Sequence, residues 1–147
     1  VENWHLSRVV LDTDILSELL AGKDANVAAS ARAYREAQGR YTFTVIAVVE
    51  IVRGLRRAGA SARAEAFVAS LGQHEVLTLD TATAVLAGEI DAALTAIGRP
   101  IGIADVLVAA IAHRHHLPVV TGNEAHFGYV RDAGYDIAIH NWRRPRG

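Results

Sequence analysis

A three-layer α/β/α sandwich around a mostly parallel sheet of four to five strands is the fold the sequence predicts, and three observations predict it. Short β-branched and aromatic runs alternate with amphipathic helical stretches along the chain. Most of these runs are apolar at every position, as strands covered on both faces are. Nothing interrupts the alternation: no internal repeat or linker appears, and the 147 residues, 51% of them hydrophobic, suit one core. Residues 1–147 therefore read as a single domain, with only the arginine-rich stretch 143–147 resembling a tail.

Each element has its own signal. Arg8-Val9-Val10-Leu11 is a buried strand ending at Asp12, in the position of a central strand. A short helix starts at Ile15, with Leu16, Leu19 and Leu20 on one face, Asp14 placed as its N-cap and Gly22 as its stop. Residues 27–38 form an Ala-rich helix closed by Gly39, and 41–44 a second strand. The next helix follows directly: Val48, Ile51, Val52 and Leu55 recur at i, i+3, i+4 and i+7, leaving Glu50, Arg53 and Arg57 on the opposite face. Helix 61–71, strand 76–79 and helix 81–97 come next, the last with a stripe of Leu86, Ile90, Ala93, Leu94 and Ile97. Gly98-Arg99-Pro100 breaks it. Helix 103–115 repeats the pattern through Ile103, Val106, Leu107, Ala110 and Ile111, before a fourth strand at 118–121 and a weak fifth at 136–139. Parallel strands of this kind require right-handed crossovers.

Composition removes several classes of function. The absence of cysteine excludes disulfide scaffolds, thiolate zinc sites and cysteine nucleophiles. Fifteen Lys+Arg against sixteen Asp+Glu give a formal charge of -1, so any nucleic-acid contact has to be local. No stretch reaches membrane-spanning length, and Val1-Glu2-Asn3-Trp4-His5 lacks the charged start and apolar run of a signal peptide, so a cytoplasmic protein is the expectation.

The chemistry is carried by acids at predicted strand ends. Asp12 ends the first strand, where a charge is costly unless solvated or bound to a cation. Glu50 lies early on the helix after the second strand, Asp105 in the first turn after Pro100-Ile101-Gly102, and Thr121-Gly122-Asn123 leaves the fourth strand. In an open parallel sheet all four places converge on one end. Three carboxylates with neutral oxygen donors are the set a hard divalent cation uses. Taken singly each acid has a plainer job: Asp105 as a helix-start residue, Glu50 as the i,i+3 partner of Arg53. His113, His115 and His116 close a helix, where cationic side chains suit the dipole, and no second ligand cluster accompanies them. Trp4 and Trp142 read as packing or interface anchors.

Leu11-Asp12-Thr13-Asp14-Ile15-Leu16-Ser17-Glu18 resembles the opening motif of PIN-domain nucleases, especially the VapC-like toxins of bacterial toxin-antitoxin modules. Residues 45–55 around Glu50, residues 98–105 ending at Asp105 with Ala109-Ala110, and Val120-Thr121-Gly122-Asn123 with Phe127 resemble the three later motifs, in order and spacing. The resemblance implies a Mg²⁺- or Mn²⁺-dependent endoribonuclease with Asp12, Glu50 and Asp105 as the metal-holding acids and Thr121 as a supporting hydroxyl. It also implies an RNA substrate, a small VapB-like antitoxin and a homodimer buried through the early helices. Two positions depart from it: Asn123 stands where some members carry a fourth acid, and His126 where a late Asp is frequent. A second metal would then be weakly held or need substrate phosphate.

On that reading the metal polarises the scissile phosphate and activates water, Asn123 orients a water or phosphate oxygen, and Thr121 fixes an acid by hydrogen bonding. Two carboxylates about 5 Å apart repel by roughly 3 kcal/mol at an effective dielectric of about 20, so without a cation such a site holds a proton. Arg53 and Arg57 either track RNA phosphates or pair with acids, and Arg143, Arg144 and Arg146 serve either solubility or RNA contact. Two other functions compete. A haloacid-dehalogenase-type phosphatase would use Asp12 and Asp14 but needs a downstream lysine, and the only one is Lys23. A catalytically silent RNA- or antitoxin-binding domain would have no use for three acids.

Overall fold

The structure is a computed structural model describing residues 7–145. Five short strands are all paired in parallel: β1 (Val10–Leu11) with β4 (Val119–Val120), β4 with β5 (Ile139–His140), and β2 (Thr42–Thr44) with β3 (Glu75–Leu77). The hydrogen-bonded ladders form a three-stranded sheet, β1-β4-β5, and a two-stranded one, β2-β3; β2 packs beside β1, so in space the five follow the order β3-β2-β1-β4-β5 with β1 in the middle.

Alternation along these strands builds two cores. Val10 and Val119 point into one cluster with Ile90, Leu94, Ile111, Phe127 and Val130. Their neighbours Val9, Leu11 and Val120 point the other way, to Ile15, Leu16, Tyr34, Phe43 and Ile51. The second face is covered by α1 (Thr13–Ala21), α2 (Ala25–Gln38), α3 (Val45–Arg57) and α4 (Ser61–Ser70), the first by α5 (Thr81–Ala96), α6 (Ile103–Arg114) and α7 (Glu124–Asp132). The three-layer α/β/α arrangement is thus the one the sequence predicts. Among the described residues no helix is long and apolar enough to cross a membrane.

Several boundaries differ, each for a local reason. The ladders are two or three residues long because the chain turns into helix at once: Asp12 and Thr44, at the carboxyl ends of β1 and β2, are already the N-caps of α1 and α3. Asp12, not Asp14, caps α1, accepting from the Thr13 N–H, so the helix starts two residues before Ile15. Gly22 ends it in the left-handed conformation at φ 69°, where a β-carbon is strained. Of its leucines, Leu16 is buried, Leu19 partly buried in the core and Leu20 40% exposed, so two of the three serve packing within the chain. The buried stripe of α5 runs through Thr83, Ala87, Ile90 and Leu94; Ile97, expected in it, is the C-cap and lies 47% exposed. Ile103, at the first position of α6, is 66% exposed. Helix 61–71 ends at Ser70 in a 3₁₀ turn, Leu71–Gln73. The third strand starts one residue earlier and ends two earlier than expected, and the fifth, Ile139–His140, overlaps the predicted 136–139 only at Ile139. α7 is an element the sequence reading lacked altogether.

Candidate active site

The loops leaving β1 and β4, the start of α1, the second turn of α3 and the first turn of α6 meet in one open cleft. It is lined by Asp12, Thr13, Asp14, Ser17, Glu50, Asp105 and Asn123. Parallel strands put their carboxyl ends on one side: Asp12 ends β1, Asn123 follows β4 and Glu50 lies in the second turn of the helix that leaves β2, while Asp105 comes from the first turn of α6, which follows helix α5.

Asp12 is 5% exposed. Its Oδ1 accepts from the Thr13 N–H at 2.9 Å and its Oδ2 from the Thr121 hydroxyl at 2.8 Å. Burial is the main reason its pKa is pushed up from 3.8 to about 7; Asp14 and Asp105 push the same way, and the two hydrogen bonds pull against them. Thr121, fully buried, also accepts from the Asn123 N–H at 2.9 Å, so a single hydroxyl joins Asp12 to the loop that carries Asn123.

Asp105, in the first turn of α6, has its Oδ2 2.6 Å from His126 Nδ1 and accepts there from Asn123 Nδ2 at 3.2 Å. Glu50 accepts from the Thr13 hydroxyl at 2.6 Å, and Arg53 stands 3.9 Å from its other oxygen. All five residues singled out from the sequence, Asp12, Glu50, Asp105, Thr121 and Asn123, therefore gather at one end of the sheet. They do not form a ready cage: among the described residues no three acid or histidine side chains stand close enough to hold an ion as they lie. Glu50 is turned onto Thr13 and Asp105 onto His126.

Asp14 is not the cap of α1 but a tie. It accepts from the Ile15 N–H at 2.8 Å through Oδ1 and from the Gly122 N–H at 2.9 Å through Oδ2, joining the loop after β1 to the loop after β4. Burial raises its pKa, opposed by the Gly122 hydrogen bond and by Arg143. The supposed tail is not a loose end. Arg143 pairs with Asp14 and Glu18, and Arg144 Nη2 bonds Glu124 at 2.6 Å; Arg146 lies outside the described residues, as does Trp4. Trp142 is buried with its ring 5.5 Å from that of Tyr34, a packing role. His113 bonds the Asp136 carbonyl at 2.7 Å, away from the cleft.

In the sequence Thr13 stands only as a motif residue, His126 as a departure from the family pattern and Arg143 as a tail residue for solubility or RNA contact; in the structure each meets an acid, Thr13 on Glu50, His126 on Asp105 and Arg143 on Asp14. The signal for His126 was its i+3 spacing from Asn123, which puts both on one side of α7's first turn. For Arg143 no local signal existed, because its partners Asp14 and Glu18 lie at the other end of the chain. Lys23 is exposed in the turn after α1, a helix about 13 Å long, so it does not supply the lysine a phosphatase built on Asp12 and Asp14 requires.

Comparison with known proteins agrees with this frame. The chain is 29% identical over 124 residues to the tRNA(fMet)-specific endonuclease VapC of Shigella flexneri, covering 84% of this chain and 92% of that one. Among solved structures it resembles DNA-bound VapBC from Salmonella typhimurium, with 27% identity, a TM-score of 0.78, and coverage of 92% of this chain and 98% of that chain. It shares the fold of VapBC2 from Rickettsia felis bound to a promoter DNA fragment, with a TM-score of 0.75 at 18% identity and coverage of 92% and 99% of the two chains. A PIN domain family model matches residues 9–131, and the chain belongs to that family.

Proposed function

We propose that this chain is a divalent-metal-dependent endoribonuclease of the cytoplasm, acting as the toxin of a toxin-antitoxin pair. The observation that carries the reading is the convergence of Asp12, Glu50 and Asp105 in one open cleft at the carboxyl end of the sheet, in a PIN domain protein.

The donor set fits Mg²⁺ or Mn²⁺. It consists of three carboxylates with an amide and hydroxyls, the oxygen ligands a hard cation takes, and Asp12 is raised by burial and by like charge, which a cation in the cleft would offset. Asp12 and Asp105 would hold it, with Glu50 direct or through water once turned from Thr13. Bound there, the metal would supply Lewis-acid polarisation of the scissile phosphate and a more acidic water.

The chain's own groups do the positioning. Thr121 and the Thr13 N–H hold both oxygens of Asp12, so that carboxylate is presented in one orientation. Asn123 keeps an amide beside Asp105, placed to orient a phosphate oxygen or a water. Arg53, its side chain 54% exposed, and Arg57, exposed one turn further along α3, would follow RNA phosphates beside the acids.

The partner in this reading is a small VapB-like antitoxin, since the Salmonella relative is a VapBC complex. A homodimer is the expected assembly, and light scattering that gives a monomer at working concentration contradicts it. The site assignment is tested by incubating cellular RNA with the wild-type chain and with Asp105→Asn in Mg²⁺. Cleavage falls at least 100-fold in the variant; undiminished cleavage overturns the assignment. An RNA-binding wild type that neither cleaves nor gains heat stability from either metal is the silent binding domain instead.

A further inference from the structure

The C-terminal arm reaches back to the acids. Its course is fixed by burial of Trp142 against Tyr34, by Asn26 Nδ2 donating to the Arg143 carbonyl at 2.8 Å, and by the Arg143 N–H donating to Asn141 Oδ1 at 3.0 Å. From there the Arg143 guanidinium spans two carboxylates of α1. Nε and Nη2 reach Glu18 Oε1 at 2.9 and 2.8 Å, and Nη1 stands 3.5 Å from Asp14 Oδ2.

Beneath it lies Gly122. A side-chain carbon at 122 would collide with the guanidinium of Arg143 and fall 2.7 Å from Asp14 Oδ2. The glycine therefore lets three things meet at one point: its own N–H, the Asp14 carboxylate that accepts from it, and the arginine that neutralises that carboxylate. On either side of Gly122 stand Thr121, which donates to Asp12, and Asn123, which donates to Asp105.

We propose that Arg143 is a positioning residue for the acidic site: by holding Asp14 on the Gly122 N–H, it sets the loop that places Thr121 on Asp12 and Asn123 on Asp105. The proposal rests on the nuclease reading for its effect on the reaction, though not for the clamp itself. A fork is needed because the two carboxylates belong to successive turns of α1, and a lysine offers one point charge in place of a rigid set of donors. Arg143 does not line the cleft, so its loss should leave RNA binding nearly intact while misplacing the groups that act on the phosphate.

The test compares wild type, Arg143→Ala and Arg143→Lys on three readouts: thermal unfolding, the kcat and KM for cleavage of a short RNA in Mg²⁺, and the Gly122 amide resonance in the metal-free protein. The expected result is a folded Arg143→Ala chain whose kcat falls about 10-fold or more with KM within about twofold, and whose Gly122 amide moves upfield as its carboxylate bond weakens. Arg143→Lys should fall between the two. Should Arg143→Ala fail to fold, Arg143→Lys carries the same comparison. An unchanged Gly122 resonance in a folded variant overturns the clamp, and an unchanged kcat overturns its role in positioning. A wild-type chain that cleaves no RNA under any metal refutes the nuclease reading, while the Gly122 resonance still decides the clamp.

Discussion

Replacing Asp12 by Asn should make the metal-free protein more stable and the enzyme inactive. Asp12 has an ordinary pKa of 3.8 when the chain is unfolded and about 7 in the folded protein, so between those values the native state binds the extra proton and stability falls as pH rises. The difference, about three pH units at 1.36 kcal/mol each, amounts to about 4 kcal/mol at pH 8 and to less than about 1 kcal/mol near pH 4. Asparagine removes the charge, keeps a carbonyl oxygen for the Thr13 N–H, and presents an amide to Thr121, whose hydroxyl can accept. Urea unfolding of both chains in EDTA should thus give an Asn variant more stable by about 2–4 kcal/mol at pH 8, with the gap closing toward pH 4. A variant equal to or weaker than wild type at pH 8 would refute the claim that Asp12 is an uncompensated buried carboxylate.

Three further outcomes follow from the same geometry. Phe127→Ala, which empties a fully buried position beneath α7, should cost about 3–5 kcal/mol in urea unfolding, because the side chain packs against the core on that face of the sheet. Asp80→Ala removes the N-cap that accepts from the Thr83 N–H at 2.8 Å and should lower the urea midpoint in the same assay while leaving cleavage unaltered; an unchanged midpoint would mean that the cap does not hold α5. Arg53→Ala and Arg57→Ala should each reduce the salt slope of RNA binding by somewhat under one unit; an unchanged slope would mean that neither meets a phosphate.

Much of this was legible from residue order. The apolar runs placed the strands because buried parallel strands have no polar face to blur the pattern, and Asp12 and Glu50 could be set at one end of the sheet because each follows a strand, whereas Asp105, which follows helix α5, had no strand of its own to place it. The boundaries were less legible where one residue has two duties. Asp12 was expected as a site residue and Asp14 as the cap, yet Asp12 is also the cap and Asp14 ties two loops together. Helix α7 escaped notice because only Phe127 and Val130 of it are buried, Gly128 lies between them, and Asn123 makes no side-chain cap bond. Arg143 was beyond local reading, since its contact with Asp14 depends on how distant segments are brought together, and His126 offered only its i+3 spacing from Asn123 as a pointer to Asp105.

The most direct measurement is cleavage of total cellular RNA by the purified chain in Mg²⁺ or Mn²⁺, in EDTA, and after metal is restored, beside Asp12→Ala. The account predicts discrete fragments that disappear with EDTA, return with metal and are absent with the variant. Fragments that persist in EDTA or with Asp12→Ala would contradict it.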